Sequence, residues 1–296
     1  MENMFINKQI TANIDTSKQR EEWRIFVNGN REIIQKVFHQ YNIKKGGRAL
    51  LLGAGNGNDI DILLMEELFD EIVLVDIDEY ALDRFLLKTK NKSKFKKVVL
   101  DLSGVGAKAQ NISNMTEQDR ITYLNNLQSD LDFPDFPSDF DFVMNCNYTT
   151  QLISPFFMSQ LNTRISSEAI AAINLCAERV ITKIFKEIFK ILKPGGVLIH
   201  STDAIEYKHD KIRGSLNPAG QIINETTHGK IFDLHNHPQV MSEIMARGLG
   251  ISGSTVPKIA FEKFIKTPHI FFNYWPFTNT PEELRVYVVC IYVFVN

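Results

Sequence analysis

The 296-residue chain has few cysteines and no excess of charge of either sign. Its three cysteines, Cys146, Cys176 and Cys290, are odd in number and widely separated, which excludes a disulfide framework and a C-x-x-C metal site. The 33 basic residues nearly balance the 35 acidic ones, so no overall field draws the chain to nucleic acid or to an anionic membrane. We therefore expect a cytoplasmic protein whose partner is a small molecule.

Long hydrophobic runs are also absent. Residues 1–23, MENMFINKQITANIDTSKQREEW, contain no apolar signal core, and the most hydrophobic stretch, VYVVCIYVFV at 286–295, is too short to cross a bilayer. Hydrophobic residues nevertheless make up 44% of the chain and charged residues 23%, which is ordinary for a globular protein with a sizeable core. These features predict neither export nor a membrane anchor.

Short apolar runs alternate with amphipathic stretches along most of the chain. The predicted strands are RALLLG, EIVLVD, KKVVLD, FDFVMN and GVLIHST, with helices between them. Runs of this kind are typical of parallel strands that are buried on both faces. HIFFNYWPF and RVYVVCIYVFV, joined by the turn TNTPEE, predict an antiparallel pair at the C-terminus. The sequence thus predicts an α/β fold with a doubly wound, mostly parallel seven-stranded sheet and a C-terminal antiparallel strand pair.

The same patterns divide the chain into regions. Helical spacing over 17–42, ended by KKGG, predicts an N-terminal helical cap over residues 1–45. Residues 46–296 then form a Rossmann-like domain, in which 57–69 is the first helix. Residues 204–237 show little periodicity and are predicted to be a long loop or insertion after the fifth strand.

The stretch ALLLGAGNGND, residues 49–59, places three glycines directly after an apolar strand. Glycines let the backbone approach a ligand closely, and the helix that follows is expected to point unpaired N–H groups at it. Asp76 ends the next strand about 20 residues later, where a carboxylate can accept hydrogen bonds from both hydroxyls of a ribose. Glycines alone also suit plain strand–helix packing, but the combination predicts a nucleoside ligand. Asn58 stands where a dinucleotide fingerprint needs its third glycine, so tight pyrophosphate binding is not supported.

These residues resemble the class I (Rossmann-like) S-adenosylmethionine-dependent methyltransferases over about residues 45–203. ALLLGAGNG is similar to the first motif of that superfamily, VLVDID to the strand with its ribose acid, and LKPGGVLIHSTD to its helix–turn–strand five. The resemblance implies S-adenosylmethionine as cofactor and methyl transfer as reaction. It implies that the methionine part of the cofactor lies against the glycine loop, namely Gly53, Ala54, Gly55 and Gly57. Asp76 would bind the ribose, and Ile77, Asp101 and Leu102 would contact the adenine. Asn145 would line the other side of the cofactor. Leu51 replaces an acid that the family often has, so Asp59 or Asn145 is expected to meet the amino group of the cofactor.

The acceptor is expected at the loops after the fourth and fifth strands. Methyl transfer needs no protein nucleophile, because the sulfonium is already activated. The candidate catalytic residues are Tyr148 in NCNYTTQL, His200 with its rival Asp203 at the end of the fifth strand, and His235 in the insertion, where His228 and His237 are alternatives. Asn147 and Tyr148 also suit a simpler role, in which they cap the strand and cover the cofactor. The insertion is predicted to be a lid over the acceptor, with surface decoration or a homodimer contact as the competing interpretation.

Two other functions are compatible with the pattern. Spermidine-synthase-like aminopropyltransferases share the apolar run and a VDID-like strand, but VMNCNY lacks the carboxylate that ends their fourth strand. A non-catalytic, nucleoside-binding regulator on the same fold is the other alternative.

Three further features of the sequence have simple structural interpretations. The lysine-rich segment 88–97 is interpreted as a solvated loop, and Cys146 as a small buried residue. The insertion histidines are interpreted as hydrogen-bonding groups rather than as a metal site.

Overall fold

The computed structural model describes residues 4–18, 21–136, 139–161, 166–264 and 268–296. The helices are α1 (Met4–Asp15), α2 (Arg24–Gln40), α3 (Ile62–Leu68), α4 (Glu79–Leu86), α5 (Glu117–Asn126), α6 (Ser154–Met158), α7 (Ser167–Ile191), α8 (Pro218–Thr227), α9 (Pro238–Ala246) and α10 (Lys258–Lys263). The strands are β1 (Arg48–Leu52), β2 (Glu71–Asp76), β3 (Phe95–Val99), β4 (Phe140–Cys146), β5 (Leu192–Asp210), β6 (Ser215–Leu216), β7 (His269–Asn279) and β8 (Glu283–Val295). Within the described residues, no helix is long and apolar enough to cross a membrane.

The strands form one sheet in the order β3-β2-β1-β4-β5-β8-β7. Strands β1 to β5 are parallel, whereas β8 runs antiparallel to β5 and β7 antiparallel to β8. The prediction of a doubly wound, mostly parallel sheet with an antiparallel pair is confirmed. The two-residue β6, which pairs with the end of β5, is an eighth strand that the sequence did not predict. The strand order reverses between β1 and β4, and ligands of open α/β sheets bind at such a point.

The sheet is covered on both faces, as its apolar strands require. On one face, α5, α6, α7 and α10 pack on alternate strand residues such as Leu50 and Val143. On the other face, α2, α3 and α4 pack on the neighbouring residues, such as Leu51 and Met144. Because successive strand residues point to opposite faces, a strand covered on both sides has an apolar residue at almost every position.

The N-terminal region contains two helices, α1 and α2, which pack against different core clusters of the protein. The predicted helix over 17–42 corresponds to α2, whose residues Ile34 and Val37 are buried in the layer on the sheet. Helix α1 was not predicted, since the prediction began its helix at residue 17. It is anchored by Phe5, whose ring contacts that of Phe156 edge-on at 5.1 Å between centroids.

The prediction of a long loop over 204–237 is wrong. Strand β5 continues to Asp210 because β8 pairs with it from Val197 to Asp210, which lies opposite Glu283. Helix α8 follows, and its Ile223 packs with Ile205 and Val286 in a separate small core. Fewer apolar residues are needed for such a core than for the main sheet, which explains the weak periodicity.

Candidate functional site

A cleft of about 550 Å³ lies at the carboxyl ends of the parallel strands. The residues that follow β1, β2, β3, β4 and the middle of β5 all contribute to its lining, as does helix α1. Pockets of this volume hold ligands of nucleoside size together with a small second molecule. The fold therefore places the cleft where the strand order predicts a ligand.

The glycine loop after β1 forms the floor of the cleft. Gly53 and Gly55 adopt left-handed conformations, with φ of +69° and +48°. A Cβ at Gly53 would collide with the ring of Tyr148, so a larger residue there would displace that ring. The Cα hydrogens of this loop leave room for a ligand above Ala54, which also lines the cleft.

The loop differs from the prediction in two respects. The N–H groups of Gly53 and Ala54 donate to the carbonyl of Val75, and that of Gly57 to Ala54, so these amides are not free for a ligand. Helix α3 begins only at Ile62, capped by Asp61, rather than at residue 57. The turn is therefore held rigid by its own hydrogen bonds before any ligand enters.

Gly57 lies outside the lining of the cleft as the described residues define it. A Cβ at this position would meet the ring of Phe85 on α4 and the side chain of Ile62. Its positive φ of +64° and this close packing give the glycine a structural role. The predicted cofactor contact of Gly57 is replaced by packing between the turn and α4.

Asp76 lies in the cleft at the end of β2 and is only 8% exposed. Its Oδ2 accepts the N–H of Gly55 at 2.9 Å, and its Oδ1 accepts the N–H of Asp78 at 3.0 Å. Oδ1 also accepts a hydrogen bond from Nδ2 of Asn13 on α1 at 3.2 Å. Burial raises the pKa of Asp76, and these hydrogen bonds oppose that change. The carboxylate is thus fixed in position and joined to the glycine loop.

The far end of the cleft is lined by Ile77, Asp101 and Leu102, as predicted for an adenine. Asp101 already holds its own loop, since its Oδ1 accepts the N–H of Ser103 at 2.9 Å and its Oδ2 that of Gly106 at 2.7 Å. This region is apolar except for the Asp101 carboxylate, which suits the face and edge of a base.

Asp59, which follows the glycine loop, also lines the cleft. Its Oδ2 accepts a hydrogen bond from Nδ2 of Asn147 at 3.5 Å. Burial raises the pKa of Asp59 to about 6, and the nearby carboxylate of Asp76 adds to the increase. Of the two residues expected to meet an amino group, Asp59 lies in the cleft and Asn145 does not.

Asn145 and His200 lie side by side on β4 and β5, fully buried below the cleft. Nδ2 of Asn145 and Nδ1 of His200 are 2.8 Å apart. The imidazole packs edge-on against Phe185, and burial lowers the pKa of His200 to about 3. Neither residue lines the cleft. Successive side chains of a strand point to opposite faces of the sheet, and in a sheet covered on both faces a polar side chain can therefore point into a helical layer.

The insertion histidines are also remote from the cleft. No residue of 204–237, all of which the structure describes, lines it. His228 and His235 are exposed, and the Nδ1 of His235 lies 2.9 Å from the carbonyl of Phe232. The described residues contain no group of three His, Cys, Asp or Glu side chains that could hold a metal ion. The segment lies beside the extension of β5 and β8, so it is not positioned as a lid over the acceptor.

Tyr148 does line the cleft, together with its neighbours Cys146, Asn147 and Thr150. Its buried hydroxyl has no hydrogen-bond partner among the described residues. Burial raises the pKa of Tyr148 well above its usual range, so the phenol is neutral and can donate or accept a hydrogen bond. Burial has the same effect on the pKa of the Cys146 thiol, which makes it a poor nucleophile.

Helix α1 lies within the predicted N-terminal helical cap and forms the roof of the cleft, although the sequence did not predict it as a separate helix. Nε2 of Gln9 donates to the carbonyl of Gln151 at 2.8 Å, and Nδ2 of Asn56 donates to the carbonyl of Asn13 at 2.8 Å. Six of its residues and Thr16 line the cleft, namely Phe5, Lys8, Gln9, Ala12, Asn13 and Asp15. This segment is too polar for a core helix, and that polarity was the available signal that it covers a ligand.

The lysine-rich segment 88–97 is largely occupied within the protein. Four of its six lysines have partners: Lys88 at Asn58, Lys94 at the carbonyl of Phe69, Lys96 at Glu71 and Lys97 at Asp83. The sequence predicted a solvated loop here; these four lysines are instead paired within the protein, which leaves them less available to phosphates.

No protein-family model matches the chain, and no curated protein matches it by sequence. Among solved structures, it is similar to the N-methyltransferase NodS from Bradyrhizobium japonicum WM9 in complex with S-adenosyl-L-homocysteine, with a TM-score of 0.45 and 11% identity over 98% of each chain. It is also similar to the O-methyltransferase from Bacillus cereus in complex with S-adenosylhomocysteine, with a TM-score of 0.38, 11% identity, and coverage of 100% of this chain and 92% of that one. The strand order, five parallel strands with β8 and β7 antiparallel at one edge, defines a Rossmann-like α/β fold.

Proposed function

We propose that the protein binds S-adenosylmethionine in this cleft and transfers its methyl group to a small-molecule acceptor. The observation that carries the proposal is the carboxylate of Asp76, which lines the cleft and is fixed by the N–H groups of Gly55 and Asp78. A rigid carboxylate at the end of the second strand is the group that a ribose diol requires.

The residues present fit this cofactor. Gly53, Ala54 and Gly55 would lie against its methionine part, Asp59 would meet its amino group, and Asp101 with Leu102 would meet its adenine. A carboxylate has about four acceptor positions, and three of those on Asp76 are taken by Gly55, Asp78 and Asn13. A ribose diol needs two of these acceptor positions, so we expect the hydrogen bond from Asn13 to break when the cofactor binds.

When bound, the cofactor supplies an activated methyl group. The chain then has to position the acceptor and exclude water. Helix α1 contributes by covering the cleft through Gln9 and Asn13. Tyr148 contributes a neutral hydroxyl, which we assign to positioning rather than to proton abstraction.

A small acceptor and a cytoplasmic location are parts of the same proposal. The cleft is enclosed by α1, and the lysines of 88–97 are mostly paired within the protein, which favours a small molecule over a nucleic acid. The three cysteines are all unpaired and buried, as expected in a reducing compartment.

Calorimetry with S-adenosylhomocysteine, followed by an assay of cofactor turnover with cell extract, tests the proposal. We expect micromolar binding and release of S-adenosylhomocysteine from S-adenosylmethionine. Binding without turnover would favour a nucleoside-binding regulator on the same fold. Absence of binding to the folded protein, with NAD bound instead, contradicts the cofactor assignment.

A further inference from the structure

Asp203 is the buried carboxylate of the cleft that has no complete set of partners. It lies on β5, is 5% exposed and lines the cleft. Its Oδ2 accepts a hydrogen bond from Oγ1 of Thr150 at 3.4 Å, whereas its Oδ1 has no partner among the residues that the structure describes. Asp76 and Asp101, by contrast, accept backbone N–H groups on both carboxylate oxygens. Because a buried charge is costly unless it is paired, a ligand that supplies a donor or a positive charge would stabilise the ionised form of Asp203.

The wall beside Asp203 is aromatic. Trp275, Phe277 and Tyr287 line the cleft from β7 and β8, and Trp23 joins them from the turn before α2. The rings of Trp23 and Phe277 are stacked at 5.6 Å between centroids, and Phe277 contacts Tyr287 at 5.5 Å. Aromatic faces attract cations, most strongly where water is excluded.

The strand order separates this part of the cleft from the cofactor residues. Asp76 and Asp101 follow β2 and β3, and the glycine loop follows β1, whereas Asp203 belongs to β5, on the other side of β4. The aromatic residues come from strands still further along the same edge. A second ligand therefore meets Asp203 and the aromatic wall without displacing the groups assigned to the cofactor.

We propose that the methyl acceptor is an organic amine, which binds as its ammonium form between the carboxylate of Asp203 and the aromatic wall of Trp275, Phe277 and Tyr287. This inference rests on the proposed function and names the class of its acceptor. A neutral alcohol would leave the Asp203 carboxylate without a counter-charge, and an anion would be repelled by both Asp203 and Asp59.

The same carboxylate can hold the proton that the reaction releases. An ammonium group gives one N–H proton to Asp203, and the freed electron pair on nitrogen forms the new bond to the methyl carbon. The electron pair of the broken methyl–sulfur bond stays with the cofactor as a neutral thioether, and the proton later leaves Asp203 for solvent. Burial raises the pKa of Asp203 to about 7, assisted by the charge of Asp59, which suits a group that gains and loses a proton near neutral pH.

The phenols and the thiol around Asp203 remain neutral in this range, and the charged Arg285 and Glu206 beside Tyr287 form an ion pair with each other. Burial raises the pKa of Tyr287 to about 12, and that of Cys146 and of Tyr148 well above the usual values. Only Asp59, whose pKa burial raises to about 6, changes charge nearby. Amine affinity is therefore expected to increase as the pH rises from 6 to 8, because Asp203 ionises over this interval.

Intrinsic fluorescence tests the inference without any turnover. The chain has two tryptophans, Trp23 and Trp275, and both line this cleft. The protein is saturated with S-adenosylhomocysteine and titrated with n-butylamine, benzylamine and putrescine, each against its matched alcohol. We expect at least one amine to change the fluorescence and to bind about tenfold or more tightly than its alcohol, with affinity that increases from pH 6 to pH 8.

The isosteric Asp203→Asn variant is expected to lose about tenfold or more of the amine affinity, and its pH dependence, while its affinity for S-adenosylhomocysteine stays within about twofold. Asp132→Asn, at a side chain that is 83% exposed, is the matched control and should behave as wild type. Equal binding of amines and alcohols, no binding of any of the three amines, or unchanged amine binding by Asp203→Asn overturns the inference. Failure of the wild type to bind S-adenosylhomocysteine instead overturns the proposed function.

Discussion

Replacing Asp76 with alanine separates a nucleoside site from a glycine turn that serves only packing. In the proposed complex the carboxylate accepts hydrogen bonds from both ribose hydroxyls. Hydrogen bonds to a charged group contribute about 1.5–3 kcal/mol each, and water that enters the space left by the side chain recovers part of this. We therefore expect the affinity for S-adenosylhomocysteine to fall by about 3 kcal/mol, or about 150-fold.

The same substitution also lowers the free energy of unfolding. The N–H groups of Gly55 and Asp78 lose their acceptor, and each unsatisfied buried group costs about 1–3 kcal/mol. The cost is expected at the lower end, since the cleft admits water to both groups. Binding must accordingly be measured well below the melting temperature of the variant, after its folded state has been verified by circular dichroism.

Titration calorimetry with S-adenosylhomocysteine measures the change. Asp70→Asn serves as the control, because it removes one carboxylate charge close to the start of β2 from a side chain that is 80% exposed. The control should bind as wild type does. A folded Asp76→Ala protein that binds within about threefold of wild type would falsify the assignment of the ribose to this carboxylate.

Four further predictions concern the same cleft. Asn13→Ala should not weaken binding of S-adenosylhomocysteine and is expected to tighten it about two- to fivefold, because Asn13 competes for Asp76; weaker binding in calorimetry contradicts this. Gly53→Ala should lower the free energy of unfolding by about 2–4 kcal/mol, because alanine is strained in the left-handed conformation and its Cβ would displace Tyr148. A change below about 0.5 kcal/mol in urea denaturation refutes the loop geometry. Because the pKa of Asp203 is raised in the folded protein, the folded state keeps a proton between about pH 4 and 7 that the unfolded state has lost, so this group destabilises the fold as the pH rises. The free energy of unfolding of Asp203→Asn should therefore exceed that of wild type by about 1–3 kcal/mol at pH 8 and by less at pH 5. An equal difference at both pH values counts against the raised pKa. Product analysis with putrescine and decarboxylated S-adenosylmethionine should show no spermidine, since β4 ends without a carboxylate, and formation at enzyme-like rates would reverse this view.

The residues that we propose for the cofactor could be found from the sequence because their signals are local. The apolar strand, the glycines and Asp76 stand within about 30 residues of one another, and each has a conformational reason that is visible in the residue type. Gly57 shows the limit of this reasoning, because a left-handed turn position and a ligand contact require the same residue. Likewise, His200 could not be placed, since both faces of its strand are apolar and period-two alternation gives no direction.

The grouping of Asp203 with the aromatic wall, which we propose as the acceptor side of the cleft, was decided by the tertiary structure. Asp203, Trp275 and Tyr287 meet because β8 pairs with β5 and β7 with β8. The β5–β8 contacts join residues more than 70 positions apart in the chain. The same pairing carries β5 on to Asp210 and makes a strand of what the sequence predicts as loop. Amphipathic spacing and turn residues predict local structure, because they depend on neighbours along the chain. Which strands pair with one another depends instead on how both faces of the whole sheet are buried. The sequence by itself therefore determined the class of fold and the residues that we propose for the nucleoside end of the cleft, and only the packing of the antiparallel edge decided which rings lie beside Asp203.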